Sequence, residues 1–473
     1  MKKITILLVL LSITTYGQLL DVTGNLPQYG FGFSAWGDFD GDGDLDLYYA
    51  GDFNGVGSGG LFVYDNENFT LLTTSGLPAY SLGAADWGDF DGDGDLDIII
   101  SGYDPTIGNG GSGVADIYIN NGNQTFTALN AGLPPVYMGD ARFTDLDGDG
   151  DLDVAIGGTD LGAGADLVKL YKNNGDTTLT EIAVTFPPLN IPKIKFADYD
   201  NDGNVDLAVS GFNSSTNSAY AKIWKNTGNL NYTEQSLGLP QIWLGDLEWA
   251  DIDADGDLDL VITGAATTES EAHLLLNNND GTFTDDPHFN ITGGHREAVI
   301  ELADFNQDGS LDIFIAGFHS SNGTDYLFAK LYDNNGSGIF TENTNNTFVP
   351  VHYADGDAAD YDNDGKVDLF YTGEDANFFG IAKLYHNGPT AGIQNTAIEG
   401  LNLYPNPAHE VLYIQNENNN PIQITIADIT GKSIYQNTAN TTLSINVSNY
   451  PAGIYLIKIV QGNQTMNQKL IIK

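Results

Sequence analysis

Five aspartates fall within nine residues at Asp38, Asp40, Asp42, Asp44 and Asp46, and the apolar run "LYYAG" follows at once. Carboxylates at alternate positions of so short a loop repel one another unless a cation sits among them. The phrase returns six times: "DFDGDGDLD" at 89, "DLDGDGDLD" at 145, "DYDNDGNVD" at 198, "DIDADGDLD" at 251, "DFNQDGSLD" at 304 and "DYDNDGKVD" at 360. Positions one, three, five and nine are Asp throughout, apart from Asn306. Position six is always Gly, as a sharp turn with positive φ requires. Position seven is Asp44, Asp95, Asp151, Asn204, Asp257, Ser310 or Lys366. A lysine stands there once, so a backbone carbonyl, not a side chain, is expected to serve at that position. Positions two and eight are apolar and anchor the loop on both sides.

Four side-chain oxygens and one carbonyl around a glycine turn form a cage suited to Ca²⁺, with up to seven ions in the chain. The candidate metal residues are Asp38, Asp40, Asp42, Asp44 and Asp46; Asp89, Asp91, Asp93, Asp95 and Asp97; and Asp145, Asp147, Asp149, Asp151 and Asp153. The later loops add Asp198, Asp200, Asp202, Asn204 and Asp206; Asp251, Asp253, Asp255, Asp257 and Asp259; Asp304, Asn306, Asp308, Ser310 and Asp312; and Asp360, Asp362, Asp364, Lys366 and Asp368. An EF-hand is excluded, because that loop needs a Glu at its twelfth position and helices on both sides. Here Tyr49 and Ile100 stand at that position.

The elements that position these loops repeat with them. Successive loops begin 51, 56, 53, 53, 53 and 56 residues apart, a period that marks stacked or radial supersecondary units. Thirteen residues after each first Asp comes a Gly: Gly51, Gly102, Gly158, Gly211, Gly264, Gly317 and Gly373. Between loop and Gly runs a buried strand such as "LDIIISG". A third strand such as "AKIWKNTG" and a fourth such as "FTALNAGLP" complete the unit. Four strands per unit, seven times, predict an all-β fold, a seven-bladed β-propeller. The last unit stops after its third strand, "AKLYHNG", while "LLDVTGNLP" from Leu19 matches the fourth-strand segments. The N-terminal strand is therefore expected to complete the last blade.

The pattern over residues 19–388 resembles the FG-GAP or VCBS repeats of integrin α-chains and many secreted bacterial proteins. The resemblance implies Ca²⁺ in the nine-residue loop between the first two strands of each blade. It does not fix a function, since such propellers serve as adhesins, lectins and non-catalytic parts of polysaccharide-degrading enzymes.

The two ends read differently. Residues 1–17, "MKKITILLVLLSITTYG", have the charged start, short apolar run and small residues of a secretory signal peptide. The apolar run is too short for a membrane span. After a linker at 389–399, residues 400–473 alternate apolar residues, with turns at Thr430-Gly431 and Pro451-Ala452-Gly453, as a small β-sandwich does. The segments "LNLYPNP", "IADITGKSIYQ", "YPAGIYLIKI" and "QKLIIK" resemble the C-terminal sorting domain of the type IX secretion system of Bacteroidetes. That implies Sec export, then passage of the outer membrane to the exterior or the cell surface, with the secretion machinery as partner.

The chain carries 64 acidic and 17 basic residues, −47 overall. The tail is net +1 and the leader +2, so the stretch between them carries −50. Such a surface repels nucleic acid and anionic lipid. Without cysteine, no disulfide, thiolate site or cysteine nucleophile exists. With so many acids a carboxylate pair carries no information about catalysis, and no nucleophile or phosphate motif stands in its proper context. A polysaccharide lyase or another secreted carbohydrate-active enzyme is the alternative reading. A lyase would need a basic cluster at the ring's mouth, for which only Lys193, Lys195 and Arg296 are candidates. His295-Arg296-Glu297 could form part of a site but reads more readily as polar side chains turned to solvent. The expected role is a non-catalytic binding or adhesion module for a glycan or an extracellular protein, with its binding face opposite the loops. Tyr29, Tyr80, Tyr137, Trp243, His352 and Tyr353, eight or nine residues before their loops or adjoining such a residue, are the candidate ligand contacts. The same rings could instead pack between blades.

Overall fold

The computed structural model describes residues 19–388 and 401–473, except 66–67, 109, 267–268, 290, 292–294, 322–323, 405–407, 410, 417–419, 429–431, 452 and 462–463. The expected signal peptide, the linker, the expected turn at Thr430-Gly431 and part of that at Pro451-Ala452-Gly453 thus lie outside the described residues. Two compact units divide at Gly388.

In the first unit each repeat is one four-stranded antiparallel sheet of sequence-adjacent strands. Blade I comprises Gly30–Gly37, Asp46–Phe53, Val56–Asp65 and Asn68–Leu71. The first strands of blades II to VII are Ser81–Gly88, Val136–Thr144, Leu189–Ala197, Trp243–Ala250, His295–Ala303 and His352–Ala359. These seven strands touch in chain order, and the seventh returns to the first. The ring is closed, a seven-bladed β-propeller with the first strands innermost. In blade VII the fourth strand is Leu19–Asp21, paired antiparallel with Gly380–Asn387 in the register Leu19↔Asn387.

Each second strand is a continuous apolar run because neighbouring blades cover both its faces. Leu47, Tyr48, Tyr49 and Ala50 are wholly buried, as are Ile98, Ile99 and Ile100 in blade II. The outer strands are short and exposed, which limits edge pairing with other chains.

Every inner strand carries a β-bulge near its start. The bulge explains the recurring Gly of the second strand. A Cβ on Gly51 would lie 2.8 Å from the Gly30 carbonyl oxygen, and one on Gly264 2.7 Å from that of Trp243. No side chain fits where the bulge presses in.

A further repeated device ties blade to blade. The third strands of blades II to VII end in Asn120, Asn173, Asn226, Asn277, Asn334 and Asn387, all buried. Each backbone N–H donates to the ninth-position Asp of its own loop, as Asn173 does to Asp153 at 2.8 Å. Each side-chain amide donates to the second-position carbonyl of the preceding blade's loop, as Asn173 does to Phe90 at 3.0 Å. Asn173 also reaches the Leu152 carbonyl. Asn173→Ala leaves both carbonyls unpaired in a buried seam. It is expected to lower stability by about 2–4 kcal/mol, read as a shift in denaturant midpoint at unchanged slope.

The second unit is a β-sandwich. One sheet holds Leu401–Tyr404, Val411–Asn416 and Leu443–Asn446. The other holds Ser433–Ala439, Ile422–Asp428, Gly453–Gln461 and Gln464–Ile472. Leu412, Ile414 and Ile445 of the first meet Ile424, Ile426, Ile457 and Ile459 of the second in a single core.

Candidate metal loops and the opposite ligand face

Each acidic loop joins the innermost strand of its blade to the second, and its ninth residue opens that second strand. The loops share one internal geometry. In all seven, the N–H of the sixth-position Gly donates to the first Asp, as Gly43 does to Asp38 at 3.1 Å. In all seven, the seventh-position N–H donates to the fifth-position Asp, as Lys366 does to Asp364 at 3.0 Å. The sixth-position Gly has positive φ, from 87° at Gly203 to 99° at Gly43. Position four also has positive φ in every loop, even where Ala254 or Gln307 stands. The sequence hid this, since only three loops place Gly there.

The oxygens without partners test whether a cation fits. Asp38 Oδ1, Asp44 Oδ1 and Asp46 Oδ2 are buried and accept no hydrogen bond, as are Asp89 Oδ1, Asp200 Oδ1, Asp206 Oδ2 and Asp253 Oδ1. Asp38, Asp40 and Asp42 bring ligand atoms within 4.8 Å of one another, as do Asp89, Asp91 and Asp97 and the equivalent groups in loops three and four. A buried anionic oxygen with no donor is costly, and a cluster of such hard oxygens suits a divalent cation of the Ca²⁺ kind. In loops three and four a lysine from the blade's third strand reaches the acids. Lys172 contacts Asp147 and lies 2.8 Å from Asp149, and Lys225 contacts Asp200 and lies 3.0 Å from Asp202. In the seventh loop His386 lies 3.1 Å from Asp368 and 3.5 Å from Asp362.

Burial raises the ninth-position carboxyls, and the neighbouring acids add to it. Asp46 is pushed up to about 8, Asp206, Asp312 and Asp368 to about 7, and Asp97, Asp153 and Asp259 to about 6. Each binds its proton more tightly folded than unfolded, so these carboxyls stabilise the metal-free fold most fully below about pH 4, and that contribution is lost as pH rises from there through about 6 to 8. In excess chelator the melting temperature is therefore expected to fall between pH 5 and pH 8. With excess Ca²⁺ it should rise over the same interval, because protons compete with the metal. Scanning calorimetry in both buffers checks the opposed slopes.

The innermost strands have no partner on the axis side, so some of their N–H groups face the channel. Carboxylates of the preceding blade accept from them: Asp86 from Phe143 at 2.8 Å, Asp140 from Ile194 at 3.0 Å, Asp246 from Ile300 at 3.1 Å, Glu301 from Ala358 at 3.1 Å and Asp355 from Ser34 at 3.0 Å. Arg142 pairs with Asp140, Lys195 with Glu248, and Lys193 lies 4.0 Å from Asp355. Lys193 and Lys195 thus serve the channel's own ion pairs and do not form a free basic cluster with Arg296.

The end of each blade opposite the loops holds the start of the inner strand, the end of the second and the start of the third. There the bulge turns one residue per blade to left-handed φ: Phe31, Leu82, Met138, Ile191, Leu244, Glu297 and Tyr353, at 48–53°. Such a conformation costs a non-glycine residue about 1–2 kcal/mol. These seven residues line one shallow cavity of about 110 Å³ on the axis. Two larger cavities adjoin. One, of about 420 Å³, lies against blades IV to VI and includes Phe212, Trp243, Ser270 and Arg296. The other, of about 360 Å³, lies against blades VI and VII and includes Arg296, Glu297, Tyr326, His352, Tyr353 and Phe378. Arg296 borders both larger cavities, and Glu297 and Tyr353 border the second of them and the axial one.

The aromatic candidates divide accordingly. Trp243, 4.9 Å from Phe212, and Tyr353, 4.9 Å from Phe31, line cavities. Tyr29 is buried against Tyr49 at 5.1 Å in a wedge between blades. Tyr80 packs into the core between blades I and II. Tyr137 is half-buried against Tyr103 at 5.7 Å. His352 is buried, 3.0 Å from Glu297 and 3.8 Å from Glu374, with one edge at the second cavity. Arg296 and Glu297, for which the sequence favoured a plain solvent-facing role over a site, border this face's cavities. Ser270 and Phe378 gave no sequence signal. The inter-blade asparagines did, as the recurring strand ends "IYIN", "LYKN", "IWKN", "LLLN", "LYDN" and "LYHN".

A closed ring of seven sheets with an acidic loop at the same place in each defines a repeat propeller. The chain belongs to the FG-GAP-like repeat family, whose model matches residues 38–100, 145–209, 198–262, 251–315 and 304–371. Residues 402–473 match the secretion system C-terminal sorting domain. The protein is thus a propeller labelled for secretion across the outer membrane by the type IX machinery. No curated protein matches the chain. Among solved structures it is similar to the Vibrio cholerae biofilm matrix protein Bap1, at 12% identity and a TM-score of 0.31, over 83% of this chain and 66% of that one. It is similar to sucrose-6-phosphate hydrolase from Lactobacillus gasseri at 15% identity and a TM-score of 0.30, over 96% and 86% of the two chains. Fructan 1-exohydrolase IIa from Cichorium intybus matches at 10% identity and 0.29, over 97% and 90%. None of these likenesses bears on what the chain binds or catalyses.

Proposed function

We propose that the protein is a calcium-stiffened, non-catalytic binding module that recognises glycans or extracellular proteins outside the cell or on its surface. Its leader directs it through the Sec pathway. Up to seven Ca²⁺ neutralise the loops, and the opposite face meets the ligand. The observation that carries this reading is the set of three adjoining cavities on that face, with Trp243, Tyr326, Tyr353 and Phe378 on their walls. Aromatic faces beside polar groups suit sugar rings and their hydroxyls. Adhesion through extracellular carbohydrate follows from such a surface on an exported protein.

A carbohydrate-active enzyme is the second reading, and it draws on His352 between Glu297 and Glu374 beside the second cavity. Glu374 is only 5% exposed, which leaves little room for substrate at its carboxyl. A lyase lacks the basic cluster, since Lys193 and Lys195 are paired in the channel. The test is a glycan and matrix-protein binding screen with the full chain in Ca²⁺, followed through Trp243. Trp243→Ala should weaken binding about tenfold or more with little change in melting temperature. A large fall in melting temperature with binding intact would reduce Trp243 to a packing wedge, and turnover of a bound glycan would favour the enzyme.

A further inference from the structure

The cavity between blades IV, V and VI is lined by two residues that each carry a donor the protein does not satisfy. Arg296 Nε is buried and has no acceptor among the described residues. Ser270 Oγ, on a residue 7% exposed, has no partner either. Both residues line the same space of about 420 Å³. Buried donors are nearly always paired in native proteins, so two in one cavity point to an acceptor that arrives with the ligand.

The surroundings define that acceptor. Arg296 stacks over Phe318, its guanidinium carbon 4.7 Å from the ring centroid. Among the described residues it is the only lysine or arginine lining this cavity, which Glu269 also lines, or the second one, which Glu297 and Asp325 line. A guanidinium and a hydroxyl together suit a carboxylate or sulfate, and such charge-assisted bonds are about twice as strong as neutral ones. Trp243, half-buried against Phe212, supplies a flat apolar wall beside them. The volume falls within the range of about 300–1,000 Å³ usual for ligand sites. Beyond Arg296 the second cavity continues toward Tyr326 and Phe378, which are 42% and 71% exposed. An extended chain can therefore cross Arg296 with rings on both sides.

We propose that this cavity binds an acidic sugar unit of a polysaccharide, its carboxylate or sulfate held by Arg296 and Ser270 and its ring laid against Trp243. The inference rests on the glycan-binding reading of this face and adds the charge of the sugar.

Isothermal titration of the full chain in Ca²⁺ tests it, at physiological salt, where a Debye length of about 8 Å screens the domain's net charge but not a direct contact. The probes are an oligogalacturonate, a sulfated carrageenan oligomer and a neutral cello-oligosaccharide of equal length. At least one acidic oligomer should bind about 10- to 100-fold tighter than the neutral one. Whichever acidic probe binds tighter tells carboxylate from sulfate. Arg296→Gln should remove that advantage and bring the acidic oligomer down to the affinity of the neutral one. Ser270→Ala should reduce it severalfold, and this second variant keeps the test valid if the first unfolds. Equal binding of acidic and neutral oligomers, indifferent to both substitutions, overturns the acidic-sugar inference and leaves the binding face standing. Failure of every oligomer to bind overturns the acidic-sugar inference together with the glycan reading of this face, and leaves an extracellular protein as its ligand.

Discussion

Excess chelator is expected to lower the melting temperature of the propeller by on the order of 10–20 °C. A site filled at a hundred times its dissociation constant stabilises the fold by about 2.7 kcal/mol. Three or four such sites thus rival the whole stability of about 5–15 kcal/mol usual for a domain. The unpartnered oxygens of Asp38, Asp46, Asp89, Asp206 and Asp253 are the groups left exposed to that loss. The effect should spread beyond the loops, because each loop's second residue is bonded to an Asn of the next blade in six of the seven joints. Mg²⁺ should restore stability poorly, since it dehydrates reluctantly and demands a strict octahedron. Loops three and four should depend least on calcium, as Lys172 and Lys225 already supply a charge there. The Asn306 loop should bind most weakly, with one carboxylate fewer. A melting curve indifferent to chelator would refute the calcium reading.

Removal of residues 400–473 should all but abolish secretion while the propeller stays folded. The tail has its own core, and the compact unit that ends at Gly388 shares none of it. Its charge of +1 beside the acidic propeller also marks it as a part with a separate task. The truncated protein is expected in the periplasm, with the melting temperature and ligand binding of the intact chain. Normal levels outside the cell would show that the tail is no sorting label. Loss of binding with export intact would make it the recognition domain.

The repeat made most of the propeller legible. Its period gave the blade count, its fixed apolar run gave the buried second strand, and its unfinished last copy pointed to the strand at Leu19. What stayed hidden depends on backbone geometry or on neighbours distant in sequence. The bulge that carries Phe31, Leu82, Met138, Ile191, Leu244, Glu297 and Tyr353 to the axis has no composition of its own, since glycine is absent from all seven positions. Of the candidate aromatics, Tyr29 and Tyr80 stand two residues before the bulge, Tyr137, Trp243 and His352 one before it, and Tyr353 at it. Tyr29 went into a wedge between blades, while Tyr353, at the bulge itself, reached the cavity. Arg296 looked like any surface arginine, because its orphaned Nε appears only when blades V and VI stand side by side.

The pairing of Leu19–Asp21 with Gly380–Asn387 also governs the order in which the chain can assemble. Within a blade each strand meets the one just made, so sheets form from local contacts. The final seam has no such help: Val22 bonds Leu384, and Leu384 bonds Thr23 across a sequence separation of 361. The entropy of closing so long a loop grows only logarithmically with its length and weighs little at equilibrium. Contacts this distant weigh heavily on rate. Until residue 387 has been made, the strand Leu19–Asp21 lacks its partner and the ring cannot lock. An incomplete chain can form a row of blades with an open seam, and closure of that seam is expected to be the late, slow folding step.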